Sequence, residues 1–138
     1  MNLIFTKDYE NMSRVAAMEL MGWIAQGKNK RMNLAITAGS TPVRMYEIIQ
    51  DFLKENTFEK IRYYNFDEIP VKNAPSLTIE SLYRLFYRPC HIDESRIEVF
   101  DEHNYQTYDE KIAQEGGIDM IMIGLGLDAV FAEIYQVQ

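Results

Sequence analysis

Three short stretches hold the residues whose types and spacing could do chemistry. The first is Thr37-Ala38-Gly39-Ser40-Thr41-Pro42, where an apolar run meets a glycine, two hydroxyls and a proline. Proline suits the first helical position, because its missing N–H had no intrahelical partner anyway. Gly39 permits close approach of a ligand to the backbone. Free N–H groups, two hydroxyls and a positive helix end would together hold an anion. The same letters also make a plain helix cap, with Ser40 or Thr41 bonding the first N–H groups. The second stretch is Tyr63-Tyr64-Asn65-Phe66-Asp67-Glu68. A carboxylate at an apolar strand end can have a raised pKa and serve as a base. Adjacent residues point different ways, so only one of Asp67 and Glu68 is expected in a cleft. Turn-forming carboxylates give the same letters. The third is Gly124-Leu125-Gly126-Leu127-Asp128, a glycine turn after Ile118–Ile123. With Ala129 it also fits the dinucleotide fingerprint, but that motif opens a βαβ unit, and only Phe131 to Gln138 follow.

The elements that must position these stretches alternate. Strands are expected at Asn2–Thr6, Arg31–Thr37, Lys60–Phe66, Arg96–Phe100 and Ile118–Gly124. Between them lie helical patterns. Asp8–Gly27 places Met12, Val15, Ala16, Leu20 and Ile24 on one stripe. Pro42–Lys54, Thr78–Cys90 and Asn104–Gly117 follow, the last with a Gly116-Gly117 stop. Tyr83, Phe86 and Tyr87 sit at helical spacing and are expected in the core. This order predicts an α/β fold: a three-layer α/β/α, Rossmann-like arrangement with a mostly parallel sheet. Ligands of such sheets sit beyond the carboxyl ends of the strands. All three stretches lie at such ends.

The chain has 138 residues, so residues 1–138 are expected to form a single domain. Its formal net charge is −7, which disfavours nucleic acid and acidic membrane surfaces as partners. Cys90 is the one cysteine, so no internal disulfide forms, and a reducing, cytoplasmic setting is expected. No signal peptide and no membrane span is read in the chain. His91 and His103 stand in loops without a ligand cluster, so a metal is not expected. Arg44 could reach an anion at the first stretch, although a solvated helix face accounts for it as well.

Together, Gly39-Ser40-Thr41-Pro42, Asn65-Phe66-Asp67-Glu68 and Gly124-Leu125-Gly126-Leu127-Asp128 share an order and spacing. They resemble the superfamily of glucosamine/galactosamine-6-phosphate isomerases (deaminases) and 6-phosphogluconolactonases, over Leu3 to Asp128. The resemblance implies a phosphorylated sugar as partner, with no organic cofactor and no catalytic metal. It implies that Gly39, Ser40 and Thr41 hold the phosphate, with Thr37, Ala38, Glu68 and Gly126 as further contacts. Asp67 matches the acid/base that moves a proton between C1 and C2. Asp128 matches the acidic residue that helps open the sugar ring. Lactonases of this family read Asp-Glu-Arg after the third strand, where this chain has Ile69. The resemblance therefore favours conversion of a hexosamine 6-phosphate to a ketose 6-phosphate and ammonia. Hydrolysis of a phosphosugar lactone and non-catalytic binding of a sugar phosphate are the alternatives.

The resemblance ends at Asp128. The family's Asp-Gly-His is Asp128-Ala129-Val130 here, and valine cannot transfer a proton. Residues 129–138 are expected to be a tail foreign to the family, and the chain to be C-terminally truncated relative to it, with impaired turnover. A one-base slip near codon 129 lets the shifted frame spell Phe-Cys-Gly-Asn-Leu-Pro, close to one branch of the family. The gene sequence at that codon tests this origin. An apolar flank left uncovered would favour a homo-oligomer.

Overall fold

The computed structural model describes residues 3–27, 30–56 and 58–124. The helix α1 (Tyr9–Gln26) opens the fold, and Asp8 caps it by accepting from the Asn11 N–H at 2.8 Å. Strand β1 (Met32–Ala35) follows, then α2 (Val43–Glu55), β2 (Ile61–Tyr64) and α3 (Leu77–Leu82). The helix α3 runs on into a wider π-helical turn, Tyr83–Tyr87. Strand β3 (Ile97–Glu98), α4 (Tyr108–Gln114) and β4 (Met120–Ile121) complete the described chain. The strands form one all-parallel sheet in the order β3-β2-β1-β4.

Alternation along the strands builds two layers of core. Leu34 of the first strand and Ile36 just beyond it, with Ile61 and Tyr63 of the second, face α1, α2 and the α3/π segment. Ala35 and Tyr64 face the other way, onto Tyr108 and Ile112 of α4. Both faces are therefore covered, which is why β1 reads as a continuous buried run. Tyr46, Tyr63, Phe86 and Tyr87 fill the larger core, with Tyr46 and Phe86 centroids 4.9 Å apart. Tyr83 is only half-buried at the edge of that cluster.

Two expectations are corrected here. Residues 3–6 form no strand: Leu3, Ile4 and Phe5 are exposed. Both sides of β1 are occupied by β2 and β4, so this β-prone segment finds no ladder there. The buried stripe of α1 is Ser13, Ala17, Leu20 and Ile24, while Met12 lies at the surface. Small residues at 13 and 17 let α1 pack against α2, a preference that hydrophobicity alone does not reveal. The Gly116-Gly117 stop is as expected: both adopt positive φ, and Gly117 N–H bonds the Ile112 carbonyl at 2.9 Å.

The turn after α4 is locked to the sheet by Asn33. Its buried amide donates to the carbonyls of Glu115 at 3.0 Å and Gly117 at 2.6 Å. Its backbone N–H donates to Asp119 Oδ2 at 2.8 Å. This lock brings β4 against β1, on the side away from β2. The strand order reverses there, and a reversal leaves a crevice at the carboxyl ends of β1 and β4.

Candidate functional site

The loop after β1 enters the rim of that crevice. Gly39 has φ +106°, a conformation open to glycine at no cost, and a Cβ there would meet nothing within 4 Å. Gly39, Ser40 and Thr41 are exposed, and Thr37 and Ala38 are half-buried. Among the described residues, the backbone N–H groups of 38–41 make no hydrogen bond, nor do the Ser40 and Thr41 hydroxyls. The capping expected of Ser40 or Thr41 does not occur. Pro42 itself occupies the cap position of α2, without a side-chain bond. The missing acceptor comes instead from α1: Tyr9 Oη accepts the Arg44 N–H at 3.2 Å. The same hydroxyl shares its proton between the Ser40 carbonyl, at 3.2 Å, and the Thr41 carbonyl, at 3.1 Å. Further along, Tyr46 Oη donates to the Thr37 carbonyl at 2.6 Å.

Arg44 is not free for a ligand. Its guanidinium donates to Glu10 at 2.8 and 3.3 Å and to Glu47 at 2.9 Å. These pairs tie the first turn of α1 to the first turn of α2.

Asp67 and Glu68 follow β2, one strand away on the same rim, since β1 and β2 run parallel. Their fates differ. Glu68 is consumed by structure: its carboxylate accepts from the N–H groups of Ile69 (2.8 Å), Thr78 (2.7 Å) and Ile79 (3.0 Å). It thus caps α3, whose own cap residue Ser76 makes no side-chain bond. Asp67 is half-buried, and its Oδ1 is buried without a hydrogen-bond partner. Burial first, and then the negative charge of Glu68, push its carboxyl above the ordinary range. Burial above all, and then the charge of Asp67, disfavour ionisation of Tyr46, whose hydroxyl holds the Thr37 carbonyl. Asn65 fixes the segment from behind, donating to the Phe100 carbonyl at 3.1 Å and accepting the Phe100 N–H at 2.8 Å. Its role as the anchor of the β2 rim was not read from the sequence; a buried amide inside an aromatic strand was the signal.

Gly124 follows β4 to the same rim, where a Cβ would stand 3.8 Å from Thr37 Cγ2. Gly126 and Asp128 lie outside the described residues, as does the tail 129–138. A cavity of about 140 Å³ opens between α1, the glycine loop and Gly124, with Met12, Ser13, Thr37, Thr41, Met45 and Met122 in its walls. Ser13 Oγ is buried and unbonded there. A second cavity of about 120 Å³ lies at the amino end of the sheet, between Lys54, Phe58, Tyr63, Cys90 and Arg96. Its cations are engaged: Lys54 pairs with Asp51 at 3.7 Å, and Arg96 donates to the Phe58 carbonyl at 2.7 Å. Among the described residues no cluster of three or more His, Cys, Asp or Glu could hold a metal. None of the described helices is long and apolar enough to cross a membrane.

No protein-family model matches the chain. Curated sequences do. A glucosamine-6-phosphate deaminase of Clostridium acetobutylicum is 31% identical over 136 residues, covering 91% of this chain and 56% of the relative. One from Clostridium perfringens is 31% identical over 147 residues, covering 91% and 55%. Among solved structures, a monomeric glucosamine-6-phosphate deaminase superposes with a TM-score of 0.76 at 20% identity, over 91% of this chain and 56% of that one. In sequence the chain is similar to glucosamine-6-phosphate deaminases, and it shares the fold of the glucosamine-6-phosphate deaminase/6-phosphogluconolactonase superfamily. The second branch is represented by the 6-phosphogluconolactonase of Trypanosoma cruzi, with a TM-score of 0.73 at 21% identity over 92% of this chain and 59% of that one. At such identities these superpositions speak to the fold alone. The chain spans about half the length of the curated superfamily members it matches.

Proposed function

We propose that the carboxyl rim of β1, β2 and β4 binds a hexosamine 6-phosphate and carries the proton-transfer half of its isomerisation and deamination. The reading rests on one observation: Asp67 keeps an unbonded, buried carboxylate oxygen on the same rim as a loop whose N–H groups make no hydrogen bond among the described residues. Gly39, Ser40 and Thr41 supply donors to the phosphate, with Thr37 and Ala38 as the entry to the loop. In the open-chain sugar, Asp67 takes the proton from C2 and returns it to C1. Water then replaces the nitrogen at C2, giving a ketose 6-phosphate and ammonia. A base that holds its proton more tightly than a free carboxylate is better matched to a weak carbon acid. Glu68 is reserved for the α3 cap and takes no proton in this scheme. Asp128 would assist ring opening. Val130 cannot share that task, so turnover of the cyclic sugar is expected to be slow.

The test separates the steps. The wild-type chain, incubated with glucosamine 6-phosphate in deuterated water, should exchange the C2 hydrogen. Asp67→Asn should lower that exchange by at least about 100-fold, the usual scale for losing a general base. Exchange equal in both proteins rejects the role of Asp67. Lactone hydrolysis is the second reading, the activity named for the Trypanosoma cruzi enzyme that shares the fold. Release of acid from 6-phosphogluconolactone without C2 exchange would select it.

A further inference from the structure

We infer that Tyr9 is a positioning residue for the oxyanion loop, acting from α1 as a cap that leaves the loop's own donors free. The inference rests on the reading of residues 38–41 as the phosphate site. Three contacts carry it. Tyr9 Oη accepts the Arg44 N–H at 3.2 Å, the bond that a Ser40 or Thr41 hydroxyl would otherwise make. Those two hydroxyls are consequently unspent among the described residues.

The other two contacts set direction. The Tyr9 proton is shared by the carbonyls of Ser40 and Thr41 at 3.2 and 3.1 Å. In a planar trans peptide the carbonyl and the following N–H point opposite ways. Holding the Ser40 carbonyl on α1 therefore turns the Thr41 N–H away from α1, to the open side of the loop. Tyr46 does the same one turn earlier: it holds the Thr37 carbonyl at 2.6 Å and so directs the Ala38 N–H. Two phenols thus fix the directions of two amides of the loop. Glu10 and Glu47 keep the two helix starts in register through Arg44, so the Tyr9 hydroxyl stays opposite its targets.

The experiment titrates inorganic phosphate into the isotopically labelled chain and follows the amide resonances of residues 38–41. In the wild type these amides should shift on binding. Tyr9→Phe keeps the ring and removes only the hydroxyl. It should weaken phosphate binding about tenfold and reduce the Thr41 amide shift. Phe58→Leu, destabilised in the core at the amino end of the sheet, should bind phosphate like the wild type, which separates positioning from a general loss of stability. Equal affinity in wild type and Tyr9→Phe overturns the inference alone. Absence of any phosphate effect in the wild type removes the phosphate reading of the loop, and the inference with it. Should Tyr9→Phe fail to fold, hydrogen exchange in the wild type decides. The Arg44 amide should be protected and the Thr41 amide unprotected; equal protection of both refutes the arrangement.

Discussion

At Asp67 the carboxylate is held part-way out of water, with one oxygen unbonded, so it keeps its proton more tightly than a free aspartate. The sign for stability follows. A raised folded-state value favours the protonated form in the fold. The stabilising effect is complete below the ordinary value of 3.8 and is lost as pH rises through the folded value. At neutral pH the ionised group therefore costs stability. Asp67→Asn, permanently neutral, should melt higher than wild type at pH 7, and the gap should close as pH falls below 3.8. Thermal melts at several pH values check this. The same variant should lose C2 exchange, so stability and activity move in opposite directions at one residue. The sequence made the choice between Asp67 and Glu68 legible only as a choice. Which carboxylate stays free depends on where α3 begins, and Glu68 reaches across ten residues to find it.

Asp8 caps α1 locally, but two helix starts are capped from a distance. The start of α3 uses Glu68 and the start of α2 uses Tyr9, while Ser76, Ser40 and Thr41 stay uninvolved. Glu68→Ala strips an acceptor from three N–H groups at once. Charged hydrogen bonds of this kind contribute roughly 1.5–3 kcal/mol each, and water replaces part of them at this half-buried site, so a net loss of at least about 3 kcal/mol is expected by denaturant titration. Glu68→Gln, which retains an oxygen, should lose less. Helix and strand order was legible because periodicity is a local property; the element boundaries moved by only a few residues. Cap partners were not legible, because they join residues far apart in the chain. The rotated stripe of α1 has the same origin: burial of Ser13 and Ala17 in place of Met12 is decided by how closely α2 approaches. The strand expected at the N-terminus failed for lack of a neighbour rather than for lack of propensity.

Over the whole molecule, the sheet is covered on both faces, and among the described residues β4 has no strand on its outer side. Ile121 and Ile123 beside it are half exposed, at 51% and 52%. Parallel strands are ordinarily enclosed, and an uncovered apolar edge favours pairing with another surface. Self-association is the expected outcome. Sedimentation at micromolar concentration should show a species larger than the monomer, and Ile121→Lys should shift it towards the monomer. A monodisperse wild-type monomer would reject this expectation. The matched superfamily member described as monomeric makes the contrast informative.

The place of β4 in the sheet also sets an order of events. The strand beside β1 is the last described in the chain, and Asn33 grips Asp119 across 86 residues of sequence. On a ribosome, the first three strands and their helices emerge while that grip is still impossible. Closure over so long a loop is slow compared with local contacts. The crevice thus forms after β1, β2 and β3 have left the ribosome. Any ligand of this rim would report the docking of β4, since the rim is incomplete before that contact.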